Sequence, residues 1–111
     1  MGEFKVVYNE QIKVIIHKPS GYYNITKIND DIYNLSDKKQ LKKNIPQWFE
    51  NKLNRELIEN LKIRFKLQEI NFIVKGNEYK GMYVHKSIIG LLISWININY
   101  FNEIVKIIET E

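Results

Sequence analysis

Basic side chains between residues 38 and 66 are the feature of this sequence most capable of chemistry. The segment holds nine basic and three acidic residues, a local charge of +6 in a chain of net charge +4, so the remainder carries −2. Such a local positive field attracts polyanions. It also suits a solvated face that keeps the protein soluble, and the charge alone leaves both interpretations open. The nine residues are Lys38, Lys39, Lys42, Lys43, Lys52, Arg55, Lys62, Arg64 and Lys66.

Other kinds of site find little support in the residue types. Without cysteine the chain can form no disulfide and no thiolate metal site, and it has two histidines, His17 and His85. We interpret them as a strand residue and a packing or helix-start residue. The glycines lack the spacing of a phosphate-binding loop or a dinucleotide fingerprint. Asp30 and Asp31 are adjacent and point apart on a helix. We expect no enzyme, no metal and no cofactor.

The first half of the chain predicts strands followed by a helix. Residues 4–8 and 11–17 form two strands around a turn at residues 9–10, and the period of two places Ile12, Val14 and Ile16 on one face. Pro19–Gly21 marks a loop. Residues 22–25 are extended, and Thr26 is a candidate cap for a helix over residues 27–33.

The lysine-rich segment predicts a short helix that starts at Ser36–Asp37, with a serine at the cap and an acid in the first turn. This helix would carry four of the basic residues, Lys38, Lys39, Lys42 and Lys43.

A longer helix is predicted from about Pro46 to Leu61. Proline suits the first helical turn. Phe49, Leu53, Leu57 and Leu61 recur every four residues and form a stripe that faces a core.

A hairpin and two apolar helices complete the chain. Residues 70–74 and 79–84 form strands around a turn signal at Gly76–Asn77, and Lys75 and Lys80 flank the tip. Ser87–Ile98 is apolar nearly all round and predicts the central core helix. It is shorter than the roughly 20 residues of a membrane span, so we expect no membrane association. Asn97 or Asn99 can cap a last helix, whose apolar face lies within residues 100–108.

Together these elements predict one domain over residues 1–111 with an α+β, winged-helix-like fold, in which β-hairpins pack against a helical core. Two helices followed by a basic hairpin is the layout of a winged helix-turn-helix, where a helix enters one groove of DNA and the wing grips a neighbouring one.

Four short motifs, in order, resemble the KilA-N domain. Tyr23–Lys27 is similar to the opening Y-I-N-A-T-K of that family, and Trp48–Phe49 with Glu56–Leu61 to its W-L…K-E-L-I-E-E-L helix. Gly81–His85, with Trp95 ten residues on, resembles G-T-Y-V-H-P…W, and Phe101–Ile108 the closing helix. The resemblance covers roughly residues 22–108, which we expect to be the core of the domain.

This resemblance implies a DNA-binding module of large DNA viruses, including poxviruses, and of phages, similar in fold to fungal APSES domains. It implies that the chain is the N-terminal part of a larger viral protein located in the host cytoplasm, in viral factories, or in the nucleus. The wing of APSES domains matches Gly76–Tyr83, with lysine in place of glutamine, which favours phosphate contact over base reading. Glu78 near the tip would repel a phosphate.

The interface that we expect from these observations contacts phosphates through basic side chains and base edges through Gln47, Asn51 and Asn54. The partner is DNA, with RNA as the alternative. A protein-interaction or dimerisation module remains a second class of function, with the C-terminal helix of one copy against another. The predicted nucleic-acid-binding residues are Lys38, Lys39, Lys42, Lys43, Gln47, Asn51, Lys52, Arg55, Lys62, Arg64, Lys66, Lys75 and Lys80.

Overall fold

The computed structural model describes residues 2–9, 11–36 and 41–111. The strands are β1 (Phe4–Asn9), β2 (Ile12–His17), β3 (Tyr22–Asn24), β4 (Asn71–Val74) and β5 (Gly81–Val84). The helices are α1 (Ile25–Leu35), α2 (Ile45–Glu50), α3 (Lys52–Phe65), α4 (Lys86–Asn97) and α5 (Phe101–Thr110), with a 3-10 turn at Ile98–Tyr100.

The strands form a five-stranded antiparallel sheet in the order β1-β2-β3-β5-β4. Three strand pairs, β1–β2, β2–β3 and β4–β5, join neighbours in sequence, and the pairing of β3 with β5 joins the two parts of the sheet. β1 and β4 are therefore the two edges of the sheet. The predicted α+β class, with hairpins against a helical core, is confirmed.

The two faces of the sheet bury different side chains because residues alternate along a strand. Ile12, Val14 and Ile16 of β2 face the helices and join the main core. Ile15 points the other way and packs with Tyr22 and Tyr83 in a smaller cluster. Register in β2 is thereby specified by burial on both sides.

α4 lies at the centre of the main core, as its apolar sequence predicts. Its Ile88, Ile89, Leu92 and Ile93 are buried together with residues of α1 and α5. The continuous helical stretch Lys86–Thr110 is long and apolar enough to cross a membrane by length and composition alone. Those four side chains give it much of that apolar character, and they pack inside the domain.

The lysine-rich segment differs from its prediction. Ser36 ends α1 instead of starting a helix: its backbone N–H donates to Ile32 O at 3.0 Å and its hydroxyl to Tyr33 O at 2.9 Å. Residues 41–44 are not helical, so Lys42 and Lys43 lie on irregular backbone. Residues 37–40, with Lys38 and Lys39, lie outside the described part of the chain.

The predicted helix over residues 46–61 is two helices, because Asn51 interrupts it. Asn51 has extended backbone (φ −62°, ψ 132°), and its side-chain oxygen accepts from Leu53 N at 3.0 Å and Asn54 N at 3.3 Å. An asparagine that caps a helix in this way ends the preceding one. The break also turns Leu53 out of the predicted stripe, and it is 74% exposed.

The cap of α1 is Asn24, not Thr26. The Asn24 side-chain oxygen accepts from Lys27 N at 2.9 Å, while the Thr26 hydroxyl accepts from Met82 N at 2.9 Å. Both residues lie at the start of α1, but Asn24 bonds to the backbone of the helix itself and Thr26 bonds to the backbone of β5.

His85 is the N-cap of α4, as predicted for a helix-start residue. Its Nδ1 accepts from Ser87 N at 3.1 Å, so this nitrogen carries no proton. Burial lowers the pKa of His85, and the neighbouring Lys86 charge lowers it further. Protonation therefore opposes both the cap and the burial of the ring.

We expect His85 to make stability depend on pH. Its folded-state pKa lies below the ordinary value, so its contribution is complete above about pH 6.5 and is lost as pH falls through the folded-state pKa. Thermal unfolding across that interval should show a fall in melting temperature on acidification. His85→Asn keeps an N-cap oxygen without a titrating ring and should flatten the profile. An identical profile in both proteins would contradict this role.

Candidate nucleic-acid interface

A groove of about 410 Å³ separates the β4–β5 hairpin from the starts of α1 and α2. We call it the hairpin groove. Its basic residues are Lys27, Lys75 and Lys80, which come from α1 and from the loop between β4 and β5. Its lining comprises Thr26, Lys27, Asp30, Ile45, Pro46, Ile73, Val74, Lys75, Gly76, Lys80, Gly81 and Met82.

A hydrogen-bonded joint fixes the hairpin against α1. The Asn24 side-chain amide donates to Lys80 O at 3.0 Å and to Tyr79 O at 3.3 Å, while Thr26 accepts from Met82 N. Asn24 is fully buried, so these bonds lie out of water. The joint connects two of the motifs that carry the family resemblance, Tyr23–Lys27 and Gly81–His85.

Gly81 is required at this joint for two physical reasons. Its φ of +140° is one that residues with a side chain rarely adopt. A Cβ at this position would also lie 2.6 Å from the Asn24 side-chain oxygen. The close approach of Gly81 lets Asn24 reach the two carbonyls that precede it.

The loop of the hairpin extends two residues further than the predicted strands, 70–74 and 79–84, imply. β4 ends at Val74 and β5 starts at Gly81, so residues 75–80 connect them. Gly76 has φ +79°, and Asn77 organises the tip by accepting from Tyr79 N at 2.7 Å through its side chain and from Lys80 N at 3.1 Å through its carbonyl. The loop places Lys75 and Lys80 in the same groove.

The charge of the hairpin groove is predominantly positive. Among the described residues, three lysines line it against a single acid, Asp30, whose carboxylate pairs with Lys42. An exposed ion pair contributes little to stability and exchanges readily with other partners. The groove therefore presents a positive rim to an incoming anion, with Lys42 at its border.

A second groove, of about 950 Å³, lies between α3 and the segment that enters β4. We call it the α3 groove. Lys52, Arg55 and Lys62 line it, together with Glu56, Glu59 and Glu69. The acids equal the bases in number, and Lys62 Nζ lies 3.5 Å from Glu59 Oε2. Its field is weaker than that of the hairpin groove.

The two grooves share their walls. α2 contributes Pro46 to the hairpin groove and Phe49 to the α3 groove, and β4 contributes Val74 to one and Asn71 to the other. Three residues of a strand span about 10 Å. Basic side chains from separate elements therefore flank one strip of surface formed by α2 and β4.

Three of the predicted binding residues in the described part of the chain, Lys43, Arg64 and Lys66, lie outside both grooves. Lys43 Nζ lies 5.4 Å from the centre of the Trp95 ring, and its carbonyl accepts from the buried Asn29 amide at 2.9 Å. The Arg64 guanidinium lies 5.6 Å from the Phe65 ring. Lys66 ends α3 in the left-handed conformation (φ 56°). None of the three lines either groove.

The three predicted base-contacting residues differ in which of their side-chain hydrogen-bonding groups are already used. Gln47 is exposed on α2, next to the groove-lining Pro46. The Asn51 oxygen is engaged as the α3 cap, which leaves its amide N–H groups. Asn54 donates its amide to Trp48 O at 2.8 Å.

Sequence reasoning missed two features of the hairpin groove. Lys27 lies outside the basic segment and reaches the groove because the joint brings α1 to the hairpin. The groove is floored by apolar side chains, among them Ile73, which is 60% exposed. The place of Lys27 in the Tyr23–Lys27 motif could have indicated its role. The alternation of residues in a strand does not predict that Ile73 is exposed.

The apolar face of α5 is largely used inside the domain. Ile104 and Ile107 are buried, and Val105 and Ile108 are half-buried. α5 packs against α4 and β1. The surface that was the basis for expecting a dimer through this helix is thus mostly covered by the chain itself.

The fold and the groove together define an α+β domain with a basic hairpin beside two helices. The chain belongs to the KilA-N domain family, whose family model matches residues 6–110. Domains of this family are generally DNA-binding.

Two viral proteins are among the relatives of this chain. Both are KilA-N domain-containing proteins of Acanthamoeba polyphaga mimivirus. One is 38% identical over 89 residues, which is 76% of this chain and 24% of that protein. The other is 30% identical over 90 residues, 78% of this chain and 35% of that protein. The chain thus spans between a quarter and about a third of the relatives' length. No solved structure matches it.

Proposed function

We propose that this chain binds double-stranded DNA, with the phosphate backbone over the hairpin groove and along the strip formed by α2 and β4. The observation that carries the proposal is the convergence of Lys27, Lys75 and Lys80 around one groove, where the one acid in the described part of the chain, Asp30, is paired with Lys42. Membership of a DNA-binding family supports it.

The two grooves suggest different roles for their basic residues. The lysines of the hairpin groove contact phosphates as point charges, with Lys42 released from Asp30 as an additional contact. Lys52, Arg55 and Lys62 extend the contact along the α3 groove, where three glutamates reduce their effect. Gln47 and the free amide of Asn51 are the candidates for base edges.

The proposed contact should produce a strong salt dependence. If about six phosphates are neutralised, the logarithm of the affinity should fall against the logarithm of salt concentration with a slope near −5. Fluorescence anisotropy with a labelled duplex, titrated at several salt concentrations, measures this slope. A slope near zero would contradict phosphate-dominated binding.

RNA is the alternative partner, because a basic surface attracts both polymers. A-form RNA has a deep, narrow major groove that side chains cannot read, and its helix differs in shape from B-DNA. Competition of unlabelled duplex DNA, single strands and duplex RNA against the labelled duplex decides between them. Preferential displacement by RNA would reassign the function.

As a viral DNA-binding protein, the chain would act in the host cytoplasm or nucleus.

A further inference from the structure

The floor of the hairpin groove is apolar although its rim is basic. Ile45, Pro46 and Ile73 form much of this floor together with Met82, which pairs with Ile73 across the hairpin. Ile73 remains 60% exposed. Contact with phosphates does not by itself explain why apolar side chains are exposed between three lysines. The groove therefore suits a partner that carries anionic and apolar groups close together.

A DNA duplex has one apolar group on its readable base edges, the C5-methyl of thymine in the major groove. We propose that the floor of the hairpin groove contacts thymine methyl groups, with Ile73 as the central contact. The lysines at the rim hold the flanking phosphates while the floor covers the methyl groups. This proposal rests on the proposed DNA binding and adds a base preference to it.

An acidic peptide with apolar side chains would also match the groove in charge and polarity. The extent of the basic surface favours the duplex. Basic residues continue past the hairpin groove into the α3 groove along the shared wall of α2 and β4. A duplex carries phosphates along its whole length, and the lysines of the hairpin groove and the basic residues of the α3 groove can follow them along the shared wall.

The test removes the methyl group and leaves the charge of the DNA unchanged. A labelled A·T-rich duplex of roughly 20 base pairs, about two helical turns, is compared with the same duplex made with deoxyuridine in place of thymidine. We expect the wild-type protein to bind the uracil duplex about fourfold more weakly for each methyl that it buries.

Substitution of Ile73 completes a double-mutant cycle. In Ile73→Ala the ratio of affinities for the two duplexes should approach one, and any effect of uracil on DNA shape cancels within the cycle. Ile73→Thr keeps a β-branched strand residue and serves if alanine disturbs the hairpin, with circular dichroism to establish folding. Ile98→Ala is the matched control, since Ile98 is 64% exposed and lies after α4, outside this groove.

The possible outcomes distinguish methyl recognition from the DNA binding on which it rests. Equal affinity of the wild-type protein for both duplexes, with a steep salt dependence, would overturn methyl recognition and leave DNA binding intact. Absence of any duplex binding would overturn both. Binding of an acidic, leucine-containing peptide that is lost in Ile73→Ala, by a protein indifferent to the methyl group, would assign the groove to a protein partner.

Discussion

Charge reversal of the two hairpin lysines, Lys75→Glu with Lys80→Glu, is expected to weaken duplex DNA binding by at least about a hundredfold near 0.1 M salt. Both residues line the hairpin groove and are exposed. A hydrogen bond to a charged group contributes about 1.5–3 kcal/mol, and two are lost here. Each reversed side chain also repels the phosphate that it had held.

The same variant should flatten the salt dependence. Removal of two phosphate contacts reduces the slope of log affinity against log salt by about 2, from near −5 to near −3. Anisotropy titrations at several salt concentrations give both the affinity and the slope. This second readout distinguishes lost phosphate contacts from a general loss of folded protein, which would lower the active fraction and leave the slope unchanged.

The matched control changes the net charge by the same amount near the opposite edge of the sheet. Lys18 follows β2, and Lys106 lies on α5, which packs against the β1 edge, opposite β4. Lys18→Glu with Lys106→Glu should cost far less affinity, since distant exposed charges are screened. Equal losses in the two double variants would mean that overall charge, and not the hairpin groove, governs binding.

Among the substitutions considered, loss of the buried Asn24 side chain is expected to lower the free energy of unfolding most. Asn24→Ala removes the cap of α1, a loss of about 1 kcal/mol. It also leaves the Lys80 carbonyl without its Asn24 donor, at about 1–3 kcal/mol for a part-buried group that loses its partner, while the Tyr79 carbonyl keeps the Tyr83 hydroxyl. The free energy of unfolding should fall by about 2–4 kcal/mol, as measured by urea denaturation.

Asn51→Ala is the matched control for this effect. Asn51 also caps a helix through two backbone N–H groups, but its side chain is exposed and holds no second segment. Its substitution should cost about 1 kcal/mol, the ordinary value for a cap. If both variants lose the same free energy, Asn24 is only a cap, and the joint between α1 and the hairpin contributes nothing measurable.

Local patterns predicted most elements of the fold correctly. The alternation in β2, the glycine-marked hairpin of β4 and β5, and the apolar helix α4 each follow from backbone sterics or burial within one segment. The errors came from segments in which a polar residue had two possible partners. The sequence predicts that Ser36 starts a helix, whereas Ser36 ends one, because serine can bond to backbone in either role.

The surface was harder to predict than the core. Sequence placed Lys75 and Lys80 on a hairpin and nine basic residues in one segment. It did not show that Lys27 joins the hairpin lysines, or that Lys52, Arg55 and Lys62 share a groove with an equal number of glutamates. Lys38 and Lys39 lie outside the described residues, and their part in binding stays a prediction.

The sequence by itself determined the family, the α+β class and the positions where the backbone must be glycine or must turn, because each depends on the chemistry of a few neighbouring residues. Only the tertiary structure decided which charges act together. Asn24 and Lys80 are 56 positions apart in the chain, and the hydrogen bond between them brings α1, with Lys27, to the hairpin lysines. Coulomb interactions depend on distance in space, and long-range contacts, not the local pattern of residues, set that distance.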